Sequence, residues 1–153
     1  MTFIAENLKN AGVTLPEAAA PAANYLPYTI SNNQLFVSGQ LPMEDGKPAV
    51  IGTLGDDVSP EDGQRAARLC AINILAQAQT ALGDLSRIKR VVKINGFVNS
   101  TPDFGDQPAV INGASDFLVE ILGDAGKHSR AAVGMSSLPF GVAVEIDAII
   151  EFE

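Results

Sequence analysis

The segment from Ser59 to Gly83 reads as a helix with both ends marked. It opens Ser59-Pro60-Glu61-Asp62. A serine oxygen accepts from an unpaired N–H of the first turn, a proline there has no N–H to leave unpaired, and an acid at the third position meets the positive end of the helix. Ala67, Ala71, Ile74, Leu75, Ala78 and Leu82 then recur at helical spacing, and Gly83 supplies the C-terminal stop. A helix of this length has to lay its apolar stripe on something. The flanking sequence, rich in β-formers, says that it lies on a sheet.

Residues 24–31 and 34–38 read as two strands around the turn Ser31-Asn32-Asn33, and a Gly- and Asp-rich loop runs from Pro42 to Val58. After the helix, residues 87–98 carry Val91, Val92, Ile94, Phe97 and Val98, a long strand. A polar loop holding Pro102 and Pro108 leads to a second helix over about 109–122, with Ile111, Phe117, Leu118, Ile121 and Leu122 as its apolar contacts. Residues 129–135 and 142–152 are the last strands. In the final one Val144, Ile146, Ala148, Ile150 and Phe152 alternate with Glu145, Asp147, Glu151 and Glu153 across the rest of the run. At the start, Thr2 is placed to cap a short amphipathic helix of Phe3, Ile4, Leu8 and Ala11 that stops at Gly12, and a Pro/Ala connector follows to residue 23. The order is a short helix followed by ββαβαββ. It predicts one α+β domain over 1–153, a sheet with two helices on one face. The other face, mixed apolar and polar, then needs cover from further copies of the chain, a symmetric homo-oligomer.

Composition excludes several classes. At 153 residues with 46% hydrophobic and 18% charged, the chain is of globular type. Its apolar runs are far shorter than the roughly 20 residues that cross a bilayer. The N-terminus lacks the basic and apolar regions of a secretory signal, so a cytoplasmic location is expected. Cys70, the single cysteine, is expected as a small packed hydrophobe. A net charge of −8 argues against nucleic acid, since phosphate neutralisation needs a basic stripe, and the densest basic stretch, 87–93, lies inside a strand. No phosphate loop, no Gly-x-Gly-x-x-Gly, no Cys-x-x-Cys and no histidine pair for a metal is present. The single histidine, His128, is expected at the surface.

The chemistry concentrates in the last quarter: His128-Ser129-Arg130-Ala131-Ala132, a Leu138-Pro139 corner, then Val144-Glu145-Ile146. Arginine and glutamate inside β-type runs ask for partners. One reading is a pocket in which Arg130 grips an anion; the other is a structural ion pair or two solvated side chains. Tyr25, Ser38, Asn112 and Glu145 complete a polar set around Arg130, each with an ordinary alternative: Tyr25 as core, Ser38-Gly39 as a turn, Asn112 as a solvated helix residue.

Three stretches carry a resemblance: Leu35-Phe36-Val37-Ser38-Gly39-Gln40-Leu41-Pro42, Val91-Val92-Lys93 with Phe97-Val98, and Arg130 through Glu145-Ile146. In them the chain, from about Asn24 to Phe152, resembles the Rid (YjgF-like) family of enamine/imine deaminases. The resemblance implies a chorismate-mutase-like mixed sheet packed on two helices, assembled as a trimer with sites between subunits. It implies Arg130 as the carboxylate-binding arginine, Glu145 as the acid that handles a water's proton, and Tyr25, Ser38, Gly39 and Asn112 as pocket residues. It implies no metal or cofactor, a small imine or keto acid as partner, and activity of the 2-iminobutanoate/2-iminopropanoate deaminase type. The chain departs from the pattern at Ala132, where the deaminases have a cysteine, and at His128, where a small residue or proline is expected. Loops 42–58 and 99–111 are longer and the N-terminal helix is added. These departures keep two alternatives in view: a non-catalytic carboxylate-binding trimer, and the endoribonuclease or translation-inhibitor activity associated with the family.

Overall fold

A computed structural model describes residues 3–20 and 23–153. Helix α1 (Phe3–Asn10) buries Ile4 and is followed by Gly12 at φ +71°; the cap expected at Thr2 lies outside the described residues. The elements then run β1 (Tyr28–Ser31), β2 (Gln34–Gln40), β3 (Met43–Glu44), β4 (Lys47–Pro48), α2 (Pro60–Leu82), β5 (Ile88–Asn99), α3 (Gln107–Leu122), β6 (Ser129–Met135) and β7 (Val144–Phe152). The first strand is shorter than expected, because residues 24–27 form an irregular turn. The expected loop after Pro42 contains a small hairpin, β3–β4, turning at Asp45-Gly46 with both residues at positive φ. That dipeptide is a strong short-range hairpin signal.

The main sheet has the order β1-β2-β7-β5-β6, antiparallel except for the pair β5–β6. Helix α2 crosses from β2 to β5 and α3 from β5 to β6. Parallel strands need such crossovers, and crossovers of this kind are right-handed. Both here move the same way along the sheet, so both helices fall on one face, where they pack on each other. The core fills the space between. The whole expected stripe of α2 is buried, as are Ile111, Phe117, Leu118, Ile121 and Leu122 of α3 and Val144, Ile146, Ala148 and Ile150 of β7. The α+β mixed sheet on two helices is therefore as expected. The opposite face carries Phe36, Phe97, Val133, Ile149, Asp147 and Glu145, and no helix among the described residues lies over it.

Two interior features make checkable statements. Where α3 crosses α2, a Cβ on Gly113 would stand 2.8 Å from the Gln64 Cα and closer still to its carbonyl, so the backbones themselves are in contact. Gly113→Ala is expected to destabilise the protein by about 1–3 kcal/mol, because the overlap outweighs the better helix propensity of alanine; a melting temperature several degrees lower checks this. Cys70 is fully buried, with Sγ 3.6 Å from the Val144 carbonyl. Burial, and then the charge of Glu145, push its thiol well above the ordinary range. Since the thiolate is the reactive form, a disulfide reagent is expected to leave native protein unlabelled and to label it only as it unfolds.

Candidate functional site

The register of β2 on β7 slips between Val37 and Gln40: Val37 faces Ala148 and Gln40 faces Ile146, so Ser38 and Gly39 together oppose Asp147. This is a β-bulge, a device that re-aims side chains near sites, rather than the turn that Ser38-Gly39 suggested. The Ser38 hydroxyl donates to the Leu26 carbonyl at 2.7 Å, and its N–H donates to the carbonyl of Pro27. Ser38 thereby ties the irregular segment holding Tyr25 to the bulge. Tyr25 is 52% exposed and is not core. A cavity of about 310 Å³ opens here, lined by Tyr25, Pro27, Ser38, Gly39, Leu41 and Phe140.

Glu145 reaches this place from β7. A Cβ on Gly39 would stand 3.0 Å from the Glu145 Cδ and would collide with Oε2, so only glycine lets the carboxylate sit there. Partial burial, and then the neighbouring Asp147, raise the Glu145 carboxyl above its ordinary range. Asp147 itself accepts from Asn95 Nδ2 at 2.7 Å.

Arg130 is elsewhere. It pairs in register with Ile94, which in turn faces Ala148, so it lies on the helix-covered face; Glu145 pairs with Phe97, on the bare face. The two do not form the structural ion pair that the sequence left open. Between β2 and β6 stand β7 and β5, three strand spacings or about 14 Å. Arg130 is half-buried and donates from Nη1 to the Ser115 hydroxyl at 3.0 Å and from Nη2 to the Pro108 carbonyl at 3.2 Å. Among the described residues no carboxylate pairs with it. Asn112, exposed on α3, lies four residues after Pro108 and three before Ser115, on the helix flank that Arg130 touches.

The expected residues thus fall into two separate groups. Tyr25, Ser38, Gly39 and Glu145 gather at the β2–β7 bulge; Arg130 and Asn112 gather at the β6 edge. Three further residues stand in these groups: His128, expected at the surface, and Ser115 and Phe140, which the sequence did not single out. His128 is no surface bystander: its Nε2 lies 2.9 Å from Ser115 Oγ and its Nδ1 lies 2.6 Å from the Gly126 carbonyl. Its unusual position two residues before Arg130 was the available signal, whereas Ser115 had none. Phe140, in the Pro139-Phe140-Gly141 corner, forms one cavity wall while 69% exposed and at φ +58°. A bulky residue in that region costs about 1–3 kcal/mol and signals a functional constraint. Among the described residues, no group of three His, Cys, Asp or Glu side chains is placed to hold a metal ion, and no helix is long and apolar enough to cross a membrane.

Comparison with known proteins bears on the family and the fold. The family model described as "YjgF/chorismate_mutase-like, putative endoribonuclease" matches residues 5–148. Protein TCP17 of Trypanosoma cruzi is 52% identical over 97% of this chain and 93% of its own length. The crystal structure of a protein with unknown function from Agrobacterium tumefaciens is 59% identical, superimposes with a TM-score of 0.94, and is covered over 93% of its length by 99% of this chain. RidA from the Antarctic bacterium Psychrobacter is 26% identical with a TM-score of 0.63, over 89% of this chain and 94% of its own.

Proposed function

Since the chain belongs to the YjgF/Rid-like family, we propose that it hydrolyses small 2-imino and 2-enamino acids to 2-keto acids and ammonia, at sites that two chains of a homotrimer build together. The observation that carries this reading is Arg130: a half-buried cation without a carboxylate partner among the described residues. A guanidinium has five donors. Ser115 and Pro108 occupy two, which leaves three for a ligand, and its planar fork matches a carboxylate. The Arg130 half-site of one chain supplies this clamp; the Tyr25–Ser38–Gly39 cavity and Glu145 of the next supply the walls and the acid.

The reaction needs little from the protein beyond placement and proton handling. With the substrate carboxylate on Arg130, the C=N carbon is already electrophilic. The imine nitrogen enters protonated, with a proton from solvent; a water oxygen adds to the carbon while Glu145 takes a proton from that water, giving a carbinolamine. The same carboxyl then returns its proton to the nitrogen as the C–N bond breaks, solvent takes the hydroxyl proton, and ammonia and the keto acid leave. A carboxyl raised above its ordinary range suits both steps, because its affinity for the proton lies nearer neutrality. An enamine enters after tautomerising to the imine.

Ala132, where the deaminases have a cysteine, favours a second reading, in which the same pocket holds a keto acid without turnover. RNA cleavage fits less well. The chain carries a net charge of −8, and two members of its basic stretch, Lys89 and Arg90, are taken up by Glu151 at 3.5 and 3.1 Å. The deciding experiment couples an imine-generating amino-acid oxidase to this protein and follows keto-acid release. Acceleration that disappears with Arg130→Ala supports the deaminase. Keto-acid binding without acceleration supports the second reading, and only cleavage of RNA that is lost in Arg130→Ala protein supports the third.

A further inference from the structure

Behind Arg130 stand two polar side chains to which the proposed reaction gives no part. The Gly126 carbonyl can only accept, so His128 Nδ1, 2.6 Å away, carries the hydrogen. In a neutral imidazole this makes Nε2 the acceptor, and the Ser115 hydroxyl at 2.9 Å donates to it. The Ser115 oxygen then presents its lone pairs to Arg130 Nη1 at 3.0 Å. The hydrogen bonds run one way: guanidinium to hydroxyl, hydroxyl to imidazole, imidazole to backbone carbonyl. Nη2 is fixed separately on the Pro108 carbonyl at 3.2 Å. Two fixings on different nitrogens define the guanidinium plane, and they come from the first turn and the middle of α3, with His128 held by the short 3-10 turn at 123–126.

We propose that Ser115 and His128 are positioning residues that pre-orient Arg130 for the carboxylate of the substrate. The inference rests on the reading of Arg130 as the carboxylate clamp and adds what holds it. An arginine on a flexible stem loses rotamer freedom when it binds; a braced one has lost it beforehand, and the gain appears as affinity. Such a brace acts on substrate binding rather than on the bond-breaking step, so its loss raises KM and leaves kcat in place.

The test uses the full-length oligomer, 2-oxobutanoate as the calorimetric probe, and the coupled imine assay for KM and kcat. Ser115→Ala and His128→Ala are each expected to weaken 2-oxobutanoate about 5-fold to 10-fold and to raise KM by a similar factor at unchanged kcat. Ser115→Thr keeps the hydroxyl and is expected to bind as wild type does. The chain has one histidine, so the imidazole nitrogen resonances of labelled wild-type protein report its tautomer without assignment; Nδ1–H is expected. An Nε2–H tautomer overturns the brace, even where a variant fails to fold. So does wild-type affinity in Ser115→Ala and His128→Ala when Arg130→Ala has abolished binding, an outcome that leaves the clamp standing. If wild type does not bind 2-oxobutanoate, or Arg130→Ala binds it equally well, the clamp fails and the brace with it.

Discussion

Arg130→Ala is expected to lower kcat/KM for 2-imino acids by about 100-fold or more, and Arg130→Lys by about 10-fold. The first figure follows from removing one partner of a hydrogen-bonded charge pair, which costs on the order of 2–5 kcal/mol, where about 2.7 kcal/mol is 100-fold. The second separates charge from shape. Lysine keeps the cation but loses the fork, and it cannot span both Ser115 and Pro108 while offering donors to a ligand. Steady-state kinetics on both variants check this; equal losses would mean that the charge alone contributes nothing, and wild-type kinetics in Arg130→Lys would mean that only the charge matters. Folding is expected to survive either change, because Arg130 lies on an edge strand and pairs with no carboxylate among the described residues.

Gly39→Ala is expected to lower kcat by about 100-fold while barely moving the melting temperature. The backbone of Gly39 does not have positive φ, so alanine fits its conformation. What the new methyl meets is the Glu145 carboxylate. That is the far end of a flexible side chain, so the clash is relieved by swinging the carboxylate away from Gly39. The stability cost is small, but a positioned general base and acid contributes about 10²–10⁴ in rate, and a displaced one forfeits much of it. Glu145→Gln makes the companion measurement: similar loss of turnover with the side chain in place. A Gly39→Ala protein with wild-type kcat would remove Glu145 from the reaction.

Much of the fold was legible because local signals agreed with it. Ser59 caps α2 through its side chain as its position suggested, and Gly83 ends the helix at φ +78°. The alternation in β7 separates Ile146 from Glu145 as a sheet with one covered face requires. The β3–β4 hairpin was equally legible, in Asp45-Gly46, but the surrounding glycines and aspartates masked it as loop. The candidate residues could be listed from the sequence, but their arrangement could not. Spacing along the chain places Arg130 and Glu145 one corner apart. Strand order places them on different strands and opposite faces, and that order depends on where two helices cross the sheet. The Ser115–His128 contact was hidden for a similar reason: it is made by the 3-10 turn that brings the chain back from α3 to β6.

The two half-sites carry the central claim, and mixing tests it most directly. Arg130→Ala protein lacks the clamp in every copy, and Glu145→Gln protein lacks the acid in every copy. Co-expressed in equal amounts and assembled as the proposed trimer, they form oligomers of which about three quarters are mixed, and each mixed trimer has one interface where an intact Arg130 from one chain meets an intact Glu145 from the next. The account predicts about a quarter of wild-type activity from the mixture, with each parent near zero. A mixed oligomer no more active than its parents would contradict it.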